Sequence, residues 1–170
     1  MNPAWTPSQP PHHDSVPSEA LAAIEAFFSG MTPAHLARLG EIYSAQARFK
    51  DPFNEVQGVD AIRGIFQHMY DRLQRPRFVV TARLQQGRQC FLAWDFVFGL
   101  HPNSAEITVR GATHLWLAPS ADGQWRIEVH RDYWDAAEEL YEKMPLLGAL
   151  MRWLKRRVNA PVKPKRGHSR

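Results

Sequence analysis

Apolar residues recur at two different periods along this chain, and the change comes near Pro76. Before it, Leu21, Ile24 and Phe28 follow Ser18 at steps of three and four, which predicts a first helix capped by Ser18. The pair Thr32-Pro33 reads as a second helix start, an N-cap hydroxyl followed by a proline in the first turn, with Leu36, Leu39 and Tyr43 behind it. Asp60 is placed to cap a third helix, whose stripe is Ile62, Ile65, Phe66, Met69 and Leu73. Pro76 is expected to end it. Beyond that point the period becomes two. RFVVTARLQQ, QCFLAWDFVFG, AEITVRGATHLWLA and QWRIEVHRDYWD are strand-like, and the short separators QG, HPNS and PSADG have turn compositions. Short connections predict antiparallel hairpins. Helices first and a meander afterwards predict an α+β fold, with helices packed on one face of a curved antiparallel sheet.

The chain has 170 residues, enough for one domain with extensions at both ends. Residues 1–17 are Pro-rich and carry no apolar signal core, so a disordered leader is expected. Residues 18–135 hold the helices and the meander. Residues 136–158 read as an amphipathic helical extension interrupted at Pro145, and residues 159–170 as a basic disordered tail. The formal net charge is +4, but eight Lys or Arg and no acid lie from Arg152 onward. The basic character therefore belongs to the tail, and the body gives no footprint for nucleic acid. The apolar face of residues 145–158 (Leu146, Leu147, Leu150, Met151, Trp153, Leu154), followed by Arg and Lys, suits weak contact with an anionic membrane. Its other reading is a lid or an assembly element. The single cysteine, Cys90, excludes an intramolecular disulfide and fits a cytoplasmic location. There is no glycine-rich phosphate loop and no His-Glu-x-x-His helix, so no cofactor and no metal are expected. The adjacent His12 and His13 are read as spacer residues.

Both parities of residues 89–99 are apolar, Cys90, Leu92, Trp94, Phe96 and Phe98 on one and Phe91, Ala93 and Val97 on the other. A sheet with one wet face should alternate, so both faces are expected to be covered, the outer one in a homodimer. Asp95 interrupts this run and must be paired, protonated or functional. His114 falls on the face opposite Thr113 and Leu115. Trp94 is read as core.

Two segments carry a resemblance, FKDPFNEVQG at 49–58 and HRDYWD at 130–135. With the order of elements, they make residues 18–135 resemble the nuclear transport factor 2-like superfamily, which includes the ketosteroid isomerases and the SnoaL-like polyketide cyclases. The resemblance implies a cone, a bent sheet wrapped around three N-terminal helices, and here an extra C-terminal helix follows it. It also implies a deep apolar pocket, with Asp51 as general base and Trp134 in the lining. Alternation back from Trp134 then places His130 and Asp132 on the same face, as a proton shuttle or an oriented pair. Arg126 and Glu128 share that parity, which is the case for an exposed polar face instead. Phe53, Asp95 and Thr113 complete the expected ligand contacts. Asp51 has a plainer reading as the cap of its own Asp-Pro turn. The first helix lacks the tyrosine that ketosteroid isomerases use on the carbonyl oxygen, and Thr113 stands where their protonated aspartate would fall. Two functions stay open: a cofactor-free isomerase, cyclase or hydratase acting on a small apolar molecule, and a non-catalytic binding or interaction domain.

Overall fold

The computed structural model describes residues 15–135. Residues 1–14 of the expected leader, the helical extension at 136–158 and the basic tail lie outside the described residues; at the described end of that leader, Val16 is buried and its N–H donates to the Gly87 carbonyl.

Helix α1, Ser18–Ser29, buries Leu21, Ile24, Phe27 and Phe28. Ser18 is its first helical residue and not its cap. The cap position belongs to Pro17, which makes no side-chain hydrogen bond to the helix. The second expected helix is shorter than its periodicity suggests. Thr32 opens a 3-10 helix, Pro33–Arg38, and a single α turn follows, α2, Leu39–Ile42. Tyr43, at helical spacing in the sequence, is instead the first residue of strand β1, Tyr43–Lys50. The chain turns extended there, with Ile42 and Tyr43 both buried. A three-residue strand, β2 (Glu55–Gln57), returns antiparallel beside β1.

Helix α3, Val59–Arg72, follows Gly58, whose φ of 94° suits glycine. Asp60 sits in its first turn and pairs with Arg63 at 2.5 Å instead of capping. Ile62 and Phe66 are its buried residues. Pro76 does not follow the helix at once, because the chain is already in strand β3, Gln74–Gln86, with a register shift between Gln74 and Arg77. Strands β4 (Gln89–Gly99), β5 (Ile107–Pro119) and β6 (Trp125–Tyr133) complete a six-stranded sheet in the order β2-β1-β6-β5-β4-β3.

The hairpins from β3 to β6 are antiparallel as expected, but β1 runs parallel to β6, so the sheet is mixed. The long connection through α3 and the meander makes that parallel pairing possible. The sheet is curved and open. Extra residues on one strand shift the register at Val80/Ala82 on β3 and at the Trp116/Leu117 pairing on β6. Such bulges bend a strand and reverse which residues face inward. The helices cover one face, where Phe28 meets Tyr43 and Phe66 meets Phe49 edge to face. Cys90, Leu92, Trp94, Phe98, Val109, Leu115, Leu117 and Ile127 supply the sheet side of that core.

Candidate functional site

The register of β5 and β6 builds the centre of the site. Thr113 pairs with Asp132 and Leu115 with His130, all directed to the helix-covered face. Trp116 pairs with Val129 and Leu117 with Ile127, so Glu128 is the extra residue of a bulge. The bulge separates the two readings of this strand. It brings Ile127 and His130 to the same buried face and leaves Glu128 exposed, although Glu128 shares the sequence parity of His130.

A continuous hydrogen-bond chain crosses the site. Trp94 Nε1–H donates to Thr113 Oγ1 at 2.8 Å. Thr113 Oγ1–H donates in turn to Asp132 Oδ1. His130 Nε2 lies 2.9 Å from the same Oδ1, and His130 Nδ1 lies 2.6 Å from the Tyr43 hydroxyl. His130 and Tyr43 are both buried, at 4% and 1% exposure. The imidazole is walled by Phe49 at 4.7 Å, Phe28 at 5.6 Å and a stacked Tyr43 ring at 5.9 Å. Burial first, and the Asp132 charge second, push the Tyr43 hydroxyl well above the ordinary phenol range, so it stays protonated.

Beside this chain lies a cavity lined by Phe28, Phe66, Phe78, Val80, Leu92, Trp94, Thr113, His130 and Asp132. Its volume is about 30 Å³, an order of magnitude below the roughly 300 Å³ at which drug-sized ligand sites begin. A steroid would not fit without movement of the walls.

The structure distributes the other expected site residues differently. Asp51 ends β1 and closes its own turn. Its Oδ1 accepts hydrogen bonds from the backbone N–H groups of Phe53 at 2.7 Å and Asn54 at 2.6 Å, and both carboxylate oxygens accept from Asn54 Nδ2. The carboxylate is thus engaged within four residues, and Asp51 is absent from the cavity lining. Phe53 is 55% exposed and packs edge to face on Trp134 at 5.4 Å. These three residues gather at the β1–β2 turn and not around the cavity. Asp95 lies on the opposite sheet face, since its neighbours Trp94 and Phe96 point inward. There it stands across from Arg110 at 3.8 Å, and it is absent from the cavity lining. His114, on that same outer face, stacks on Phe91 at 4.2 Å.

Tyr43 and the aromatic lining were not foreseen as site residues. Tyr43 was hidden by its helical spacing from Leu36 and Leu39. Trp94 shares parity with Cys90 and Leu92, a signal that gives burial but not a cavity. Among the described residues no group of three or more His, Cys, Asp or Glu is arranged to hold a metal ion. No helix among them is long and apolar enough to cross a membrane.

A curved open sheet with helices on one face is the fold of the nuclear transport factor 2-like class, ketosteroid isomerase-like in architecture. Within it the SnoaL-like domain family matches residues 24–128, and the chain belongs to that family. No curated protein matches the chain. Solved structures do. A protein from Catenulispora acidiphila with a ketosteroid isomerase-like fold, in complex with trimethylamine, is 18% identical with a TM-score of 0.59, over 74% of this chain and 92% of that one. A protein from Shewanella denitrificans assigned as a SnoaL-like polyketide cyclase is 16% identical with a TM-score of 0.58, over 73% and 98%. An LEH-like epoxide hydrolase of M. tuberculosis is 17% identical with a TM-score of 0.59, over 81% and 96%. At these identities the likeness is one of fold.

Proposed function

We propose that this protein binds a small, largely apolar molecule in its cavity and acts on it by cofactor-free acid–base chemistry, with Asp132 as the base. One observation carries the reading. Both hydrogen bonds to Asp132 converge on Oδ1, from Thr113 and His130, while Oδ2 accepts none among the described residues of a mostly aromatic and aliphatic cavity. A carboxylate held by one oxygen and open at the other is placed to take a proton from a C–H acid or from water. That chemistry covers isomerisation, cyclisation and hydration. His130 orients Asp132, and the role of base passes from Asp51, whose oxygens serve its own turn, to Asp132. Similar folds assigned as a polyketide cyclase, acting as an epoxide hydrolase and holding trimethylamine favour a small-molecule site over a purely structural one.

Binding without turnover is the second reading, and the donor inventory favours it. Trp94 Nε1, Thr113 Oγ1 and His130 Nε2 are already engaged and His130 Nδ1 faces the Tyr43 hydroxyl, so none of these lining groups stands free to donate to a developing oxyanion. The test is a panel of small ketones, alcohols, epoxides and amines, screened by ligand-observed NMR against wild type and the cavity-filling variant Leu92→Trp. Hits are then followed in D2O with wild type, Asp132→Asn and Asp51→Ala. Hits lost in Leu92→Trp, with deuterium incorporation lost in Asp132→Asn and retained in Asp51→Ala, are expected. No difference between wild type and Leu92→Trp would remove the ligand site. Binding without incorporation would leave the second reading.

A further inference from the structure

Hydrogen-bond accounting around the cavity leaves one carboxylate oxygen without a partner among the described residues. Tyr43 is buried, and a buried phenol O–H has to donate. Its hydrogen-bond partner is His130 Nδ1 at 2.6 Å, so Nδ1 is an acceptor. His130 therefore carries its proton on Nε2, is neutral, and donates to Asp132 Oδ1 at 2.9 Å. Thr113 accepts from Trp94 Nε1–H and gives its own proton to the same oxygen. Two donors thus share Oδ1, while Oδ2 has none among the described residues. No lysine or arginine among the described residues forms a salt bridge with Asp132. A carboxylate oxygen in apolar surroundings calls for a donor or a counter-charge, and Oδ2 has neither among the described residues.

The walls around it suit a cation better than a neutral acceptor. Phe28, Phe66, Phe78 and Trp94 all line the cavity, and aromatic faces attract a cation at close range. The volume of about 30 Å³ limits any occupant to a few heavy atoms. We propose that the cavity selects a small alkylammonium ion, its N–H donating to Asp132 Oδ2 and its carbons lying against the four aromatic rings. This names the ligand class for the cavity read above as the ligand site, and it holds whether or not the bound molecule is turned over.

The test uses three molecules of the same heavy-atom count at neutral pH: isopropylammonium, isopropanol and acetone. Each is titrated into the full chain, with the Trp94 indole N–H and the methyl resonances of the lining residues followed by NMR. Isopropylammonium is expected to bind about tenfold or more tightly than either neutral molecule, with Asp132→Asn abolishing that preference. Equal or tighter binding of acetone or isopropanol by wild type would overturn the ligand class and leave the site standing. An Asp132→Asn protein that keeps the ammonium preference would overturn it too. No perturbation by any of the three, even at high millimolar concentration, would overturn both this proposal and the reading of the cavity as a ligand site. The comparison within wild type decides the question even where Asp132→Asn fails to fold.

Discussion

At the scale of single residues, two aspartates near strand ends have opposite fates. Asp51 precedes Pro52 and spends its carboxylate on the N–H groups of Phe53 and Asn54. Asp132 finds no such local partner, and its Oδ1 is held across the sheet by Thr113 and from its own strand by His130. Asp51→Ala should therefore lose local backbone satisfaction. A destabilisation of about 1–2 kcal/mol is expected from urea unfolding, with ligand affinity and deuterium incorporation unchanged. Loss of incorporation in a folded Asp51→Ala protein would return the base role to Asp51.

At the scale of elements, the cavity depends on how β4 and β5 face each other. Trp94 pairs with Gly111, and its indole lies across the glycine. A Cβ built there would sit 2.6 Å from Trp94 Cζ2 and 2.8 Å from Cζ3, too close for any real contact. The ring cannot simply yield, because its N–H is tied to Thr113. Gly111→Ala should force the indole from its place and cost about 1–3 kcal/mol of overpacking. The expected readout is a lower urea midpoint together with a displaced Trp94 indole N–H resonance. An unchanged resonance would mean that the strand backbone gives way instead.

At the scale of the molecule, two surfaces make predictions. Exposed carboxylates are held below their ordinary range by arginine or lysine partners: Glu41 by Arg38, Glu55 by Lys50, Glu106 by Arg77, and Asp122 down to about 2 by Arg126 and then the Gln124 backbone. Because folding depresses these values, the unfolded chain binds more protons on acidification. The stability they contribute is present above the ordinary carboxylate range and is lost as pH falls toward about 2. Thermal midpoints should decline over that window, and Asp122→Asn should flatten the decline without removing it. The outer sheet face exposes Val79, Leu84, Phe91 and Tyr133. The homodimer expected from the two-sided apolar pattern of β4 would bury them. Sedimentation at micromolar concentration is expected to show a dimer that Leu84→Glu with Phe91→Glu dissociates, and a monomeric wild type would refute it.

The sequence by itself determined the class of fold and the four strands of the meander. Period-two runs bounded by Gly, Pro and Asn are local signals, and β4 begins and ends where its pattern does. Alternation along one strand also put His130 and Asp132 on one face, whereas Thr113 joined them only through the family resemblance. Tertiary structure decided the rest. Tyr43 reached His130 across 87 positions because β1 lies parallel beside β6, a pairing that no local pattern encodes. Glu128 left the buried face because of a bulge, which shifts parity without changing composition. Asp51 and Asp132 were equal as letters. Which of them faces the cavity was settled by the hydrogen-bond partners that the fold put within reach of each.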